Sequence, residues 1–151
     1  NERQQKNRKT TCEILLERHE KKSLFHRIVT GDEKWIYFED LKRKKSWVDP
    51  SQPSTSTVRS NRIGKKTMLC VWGDQEGVIY YELLKPGETV NTQRYRQQIM
   101  NLNDALLEKR PSWVTRHEKV IFQHDNAPEH KSKPVRDTIA ALHWDVLPHP
   151  L

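Results

Sequence analysis

Two short apolar runs, each adjoining an aspartate, constrain the fold of this chain more than any other feature. Asp125 closely follows the run 120–122, and Asp32 precedes the run 35–38. Short runs rich in β-branched and aromatic residues predict buried strands. An isolated Asp is more often a turn or cap residue, but these flanking runs favour carboxylates fixed at a sheet. Carboxylates held in this way can bind a divalent metal for phosphoryl transfer.

The remaining pattern predicts strands and helices in a definite order. We expect a basic helix over residues 1–22, a strand within 25–38, a hairpin of strands 67–72 and 78–84, a helix over 92–110, a strand at 120–122, a helix beginning near 134 and a strand at 145–147. Three antiparallel strands, followed by strands that alternate with helices, predict an α/β fold with a mixed sheet covered by helices.

Chain length indicates the number of hydrophobic cores, and net charge indicates the kind of partner. A chain of 151 residues suits a single hydrophobic core, and its net charge of +7 favours a polyanion, either nucleic acid or an acidic membrane. No apolar run approaches the roughly 18 residues of a spanning helix, so we expect no membrane. Cys12 and Cys70 lack the spacing of a metal site, and we expect both to be buried thiols in a reducing compartment.

A long segment over residues 39–66 concentrates the positive charge. It contains eight basic and three acidic residues, so its net charge of +5 is most of that of the chain. The clustering predicts a clamp on DNA or on a partner, although a solvated loop is the alternative. The candidate DNA contacts are Lys42, Arg43, Lys44, Lys45, Arg59, Arg62, Lys65, Lys66 and, outside the segment, His130.

Five strings give the chain a resemblance that covers nearly all of its length. In chain order they are TGDEKW, KKTMLCVW, GVIYYELLKPGETVN, HDNAPEH and VLPH. The chain resembles the catalytic domain of the mariner transposases of the Tc1/mariner superfamily. This resemblance implies a ribonuclease-H-like mixed sheet, incomplete at the carboxyl end, in which the first and fourth strands lie side by side. It would thereby bring Asp32 and Asp125 together.

The resemblance also implies a chemistry and a cofactor. Family members use three aspartates to bind two Mg²⁺ or Mn²⁺ ions. Asp32 matches the first, which would bridge both ions, and Asp125 matches the second, which would hold one of them. The third would lie beyond Leu151. We therefore expect these 151 residues to bind one ion weakly and not to cut DNA by themselves.

Side chains near the two acids carry weaker signals. Glu33 should point to the opposite face of the strand from Asp32 and should not bind the metal. Asn126 either orients a water or forms a turn, and His130 either contacts phosphate or positions its loop. No Cys/His spacing supports zinc. We expect Trp47 and Trp72 to belong to the core rather than to stack on bases.

Together these features predict residues 1–24 as a helical linker and 25–151 as a partial catalytic domain, with the basic insertion at 39–66. The expected function is metal-dependent DNA cleavage and strand transfer in cut-and-paste transposition, in the nucleus. The expected substrates are double-stranded transposon ends and target DNA, and the full-length protein would act as a homodimer. The alternative is a decayed or domesticated fragment that only binds DNA or protein.

Overall fold

A computed structural model describes residues 2–21, 24–38, 47–53, 66–115 and 119–149. Its elements in chain order are helix α1 (Glu2–Lys21), strands β1 (Ile28–Tyr37), β2 (Lys66–Asp74) and β3 (Gly77–Leu83), helices α2 (Thr92–Lys109) and α3 (Ser112–Thr115), strand β4 (Ile121–Gln123), helix α4 (Lys133–Ala141) and strand β5 (Asp145–Val146). The predicted order is confirmed. The one-turn helix α3 is an addition to it, because four residues carry no readable periodicity.

The five strands form one mixed sheet in the order β3-β2-β1-β4-β5. The pairs β3–β2 and β2–β1 are antiparallel, whereas β1–β4 and β4–β5 are parallel. The first and fourth strands are therefore neighbours, as the resemblance implies. The expected mixed sheet flanked by helices is confirmed.

Helices α2 and α4 cover one face of the sheet, and the main core lies beneath them. Side chains at helical spacing on α2, namely Tyr95, Ile99, Leu102 and Leu106, meet Trp72 and Cys70 of β2. Asn91 caps this helix by accepting the N–H of Arg94 through its side chain. The predicted apolar stripe of α2 is thus core, which fixes the helix over the middle of the sheet.

A tight glycine contact joins β1 to this core. Gly31 pairs with Trp72 across the two strands, and a Cβ at residue 31 would lie 2.1 Å from Cδ1 of the Trp72 indole. Only glycine leaves room for the indole to lie across the strand there. The residue immediately before Asp32 is therefore set by packing.

The β2–β3 turn is tighter than the sequence suggested. The strands run to Asp74 and Gly77, with a register irregularity between Trp72 and Gly73. A Cβ at Gly73 would lie 2.9 Å from the carbonyl oxygen of Gly77, which itself has a φ of +123°. Glycine at residue 73 thus permits the bulge and the close approach of the two strands.

Helix α1 touches the opposite face of the sheet through a smaller cluster. Leu15 and Ile28 pack against the buried side chains of Leu24, Ile121 and Leu147. No residue of the helix is buried, and Cys12 is exposed. The prediction of a buried thiol is correct for Cys70 and wrong for Cys12, because the helix meets the sheet only near its carboxyl-terminal half.

Of the two tryptophans predicted to be core residues, Trp72 is buried, but Trp47 is 94% exposed. That part of the prediction is wrong, because Trp47 lies in an irregular stretch and nearly all of its side chain is in solvent. Among the residues that the structure describes, no helix is long and apolar enough to cross a membrane.

Candidate metal centre

The parallel pairing of β1 and β4 sets the positions of the two predicted acids. Thr30 and Gln123 are the last paired residues of β1 and β4, and Asp32 and Asp125 each follow two positions later. Both aspartates are exposed, and paired strands lie about 4.8 Å apart. The fold therefore brings Asp32, in the middle of β1, and Asp125, just past the end of β4, to neighbouring strands although they are 93 positions apart in sequence.

Asp125 lies in a turn that begins after β4. Its Oδ1 accepts the backbone N–H of Ala127 at 2.9 Å and lies 2.7 Å from Nδ1 of His130. Burial raises the pKa of Asp125, but the Ala127 N–H and the charge and hydrogen bond of His130 outweigh it, so the pKa lies below its ordinary value. The carboxylate is ionised at neutral pH, and its side chain is 53% exposed.

Asp32 is exposed on β1, where its Oδ1 accepts the N–H of Glu33 at 2.8 Å. Side chains alternate along the strand, and Glu33 faces the helix-covered side. The expectation that Glu33 points away from Asp32 agrees with this alternation. Glu33 nevertheless reaches the second acid indirectly, because its Oε1 lies 3.4 Å from Nε2 of His130.

His130 is a buried histidine between two carboxylates. Its ring stacks on Tyr95 with centroids 3.9 Å apart, and its two nitrogens face Glu33 and Asp125. Burial lowers the pKa of His130, but the hydrogen bonds and charges of Glu33 and Asp125 more than offset this and raise it above its ordinary value. The burial favours loop positioning over phosphate contact.

Another buried contact, between Tyr95 and His124, lies beside His130. The hydroxyl of Tyr95 is 3.0 Å from Nδ1 of His124. Burial, followed by the neighbouring His130, lowers the pKa of His124 to about 4, so this imidazole is neutral at pH 7. Burial also raises the pKa of Tyr95, which keeps its hydroxyl protonated and able to donate. The pKa values of the two histidines of HDNAPEH are therefore shifted in opposite directions.

The other candidate residues are only partly described. Lys42 to Lys45, Arg59, Arg62 and Lys65 lie outside the described residues. Lys66 is described, and its Nζ lies 4.0 Å from the centre of the Trp35 ring. Asn126 places its amide nitrogen 3.4 Å from the carbonyl oxygen of His149, which links the turn after β4 to the chain after β5.

Sequence reasoning missed the connection from Glu33 through His130 to Asp125. Alternation placed Glu33 on the far face, and nothing in the spacing of 97 residues between it and His130 indicates a contact.

Among the described residues no group of three His, Cys, Asp or Glu side chains could hold a metal ion. Asp32 and Asp125 are exposed carboxylates, and a hard cation prefers oxygen atoms of this kind as ligands.

Comparison with known proteins gives one consistent result. The family model described as transposase (partial DDE domain) matches residues 37–116. The Mariner Mos1 transposase of Drosophila mauritiana is 68% identical over 149 residues, which cover 99% of this chain and 43% of that protein. The chain therefore spans less than half the length of that relative.

Two solved structures agree closely with the fold. A pre-cleavage Mos1 transpososome matches with a TM-score of 0.92 at 67% identity, over 99% of this chain and 44% of that one. The Mos1 mariner paired end complex with Mn matches with a TM-score of 0.90 at the same identity and coverage. The sheet is thus the ribonuclease-H-like fold that the motifs imply, and the chain belongs to the transposase family with a DDE domain, among its mariner-type members.

Proposed function

We propose that this chain is the catalytic part of a cut-and-paste DNA transposase, which cleaves and joins DNA strands with the help of divalent metal ions. The observation that carries the proposal is the parallel pairing of β1 with β4, whose last paired residues, Thr30 and Gln123, stand two positions before Asp32 and Asp125. Family membership supports the same reading. In this proposal the two aspartates are the metal ligands.

The two side chains fit a hard divalent cation. Both are exposed carboxylates, and the lowered pKa of Asp125 keeps that group ionised. Mg²⁺ and Mn²⁺ take oxygen ligands and retain several waters, so few protein ligands are needed for each ion. Bound there, the ions would lower the pKa of an attacking water or 3′ hydroxyl and stabilise charge on the scissile phosphate.

The chain's own residues place these carboxylates. Asp32, on β1, and Asp125, whose Oδ1 accepts the Ala127 N–H, would hold the ions. Two carboxylates suffice for one ion. We propose that the second ion also needs the third aspartate that the mariner resemblance places beyond Leu151.

Double-stranded DNA is the proposed partner. The net charge of +7 attracts a polyanion, and the two similar structures are a transpososome and a paired end complex. By the same likeness we propose that the full-length protein pairs transposon ends as a homodimer and then joins them to target DNA. Its place of action would be the nucleus.

DNA cleavage tests this function. We expect no nicking of duplex DNA bearing mariner ends by the 151 residues with Mg²⁺. A polypeptide extended past Leu151 to include the third aspartate should show metal-dependent cleavage, which Asp32→Asn or Asp125→Asn abolishes. Cleavage that survives both substitutions would contradict the assignment. DNA binding without cleavage by the extended polypeptide would favour a domesticated fragment that only binds DNA.

A further inference from the structure

We propose that His130 is a positioning residue for Asp125, and that Glu33 in turn holds His130. The inference rests on the proposed function, because Asp125 is the carboxylate assigned there to a metal ion. It gives a role at the site to Glu33, which was expected only to point away from Asp32, and to His130, for which phosphate contact was the alternative. Each step follows from contacts among described residues.

The sheet alone does not fix the carboxylate of Asp125. Strand β4 ends at Gln123, and the side chain of Asp125 is half-exposed. Its two close contacts are the N–H of Ala127 at 2.9 Å and Nδ1 of His130 at 2.7 Å. Both contacts are to Oδ1. His130 therefore sets which way the carboxylate faces.

His130 can do this because it is itself held on three sides. Its Nε2 lies 3.4 Å from Oε1 of Glu33, its ring stacks on Tyr95 with centroids 3.9 Å apart, and its backbone N–H donates to the carbonyl of Ala127 at 3.0 Å. The imidazole is buried. A side chain so confined presents Nδ1 in one direction, and groups behind metal ligands commonly orient them in this way.

The contact to Glu33 joins the two halves of the site. Glu33 follows Asp32 directly on β1, although it faces the other side of the sheet. The path from Glu33 through His130 to Asp125 thus ties the turn after β4 to the strand that carries Asp32. Loss of the histidine would let the second carboxylate turn independently of the first.

A histidine that only filled space would affect stability and leave metal affinity unchanged. Calorimetric titration of the 151 residues with Mn²⁺ separates the two roles, with urea unfolding of every variant measured without metal. The variants are His130→Ala, His130→Asn, Glu33→Ala and Asp125→Asn. Leu106→Val serves as a control that loosens the core away from the site.

We expect Asp125→Asn to abolish Mn²⁺ binding and His130→Ala to weaken it by about tenfold or more. His130→Asn should recover most of that loss, because its amide nitrogen can lie close to Oδ1 of Asp125 where Nδ1 did. Glu33→Ala should weaken binding in the same direction, whereas Leu106→Val should bind like the wild type.

Wild-type affinity in folded His130→Ala, together with loss of binding in Asp125→Asn, would overturn the positioning role and leave the proposed function standing. If His130→Ala does not fold, wild-type affinity in Glu33→Ala would overturn it equally. Unchanged binding in Asp125→Asn would instead overturn the proposed metal site.

Discussion

At the scale of single residues, the contact of Gly31 with Trp72 predicts that Gly31→Ala destabilises the protein. Gly31→Ala would place a methyl group 2.1 Å from Cδ1 of a buried indole that stacks on Tyr80 and has little room to move. Overpacking of a core typically costs about 1–3 kcal/mol. We expect the free energy of unfolding, measured with urea, to fall by that amount.

Removal of the indole supplies the control. In a Trp72→Leu background the same Gly31→Ala change should cost much less, because its steric partner is gone. Substitutions in direct contact commonly couple by about 0.5–3 kcal/mol. An equal cost in both backgrounds would show that the glycine is required for another reason.

At the scale of elements, an ion pair fastens the end of α2 to the β2–β3 turn. Arg110 meets both oxygens of Asp74, with Nε 2.9 Å from Oδ2 and the second guanidinium nitrogen 3.0 Å from Oδ1. The Asp74 side chain is only 2% exposed, so Arg110→Ala would leave a buried carboxylate without its positively charged partner. We expect a loss of about 3 kcal/mol by urea unfolding.

The exposed pair Lys133–Asp137 within α4 is the matched control for that substitution. Surface pairs at this spacing contribute about 0.3–0.5 kcal/mol, so Lys133→Ala should change stability little. Equal losses in Lys133→Ala and Arg110→Ala would mean that the pairing of Asp74 does not fasten the helix.

The Arg110–Asp74 pair also makes the free energy of unfolding depend on pH. Burial raises the pKa of Asp74, but the Arg110 hydrogen bonds and the N–H of Glu76 outweigh it, so the folded-state pKa is lowered. Ionised Asp74 therefore stabilises the folded state. This contribution is fully present above the pKa of an aspartate in the unfolded state, about 4, and is lost as the pH falls through the lower pKa of the folded state. The difference between wild type and Arg110→Ala should therefore shrink below about pH 4.

Much of this element-scale structure was predictable from the sequence. The stripe of Tyr95, Ile99, Leu102 and Leu106 and the apolar run before Asp125 follow directly from periodicity. The pairing of β1 with β4 does not follow from periodicity, and only the family resemblance predicts it. The exposure of Trp47 and Cys12 was not predictable, because a pattern of residue types does not indicate which helix or loop lacks a partner.

At the scale of the whole molecule, the concentration of positive charge over residues 39–66 predicts non-specific DNA affinity. Each phosphate that the protein no longer neutralises should reduce the slope of log affinity against log salt by about 0.9. Neutralising Lys42, Arg43, Lys44 and Lys45 should therefore weaken duplex binding and flatten its salt dependence, as measured by fluorescence anisotropy.

Neutralising four basic residues of α1, namely Arg3, Lys6, Arg8 and Lys9, removes the same charge elsewhere and serves as the control. Equal effects in both variants would assign the affinity to net charge. An unchanged slope in the Lys42 to Lys45 variant would assign the basic segment to solubility or to contact with a partner subunit.

The candidate site combines a predictable and an unpredictable part. The flanking strings identify Asp32 and Asp125 from the sequence. They do not identify the side chains behind Asp125, since Glu33 and His130 meet only after the chain folds β1 beside the turn that follows β4. Contacts of this kind depend on three-dimensional placement and leave no local pattern.

The most direct test of the metal assignment is to locate bound Mn²⁺ by nuclear magnetic resonance. Paramagnetic broadening in ¹H–¹⁵N spectra of the 151 residues should be strongest around Asp32 and Asp125, including the amides of Gly31 and Asn126. It should vanish in the Asp32→Asn/Asp125→Asn double variant. Broadening that is centred elsewhere, or that persists in the double variant, would contradict the account.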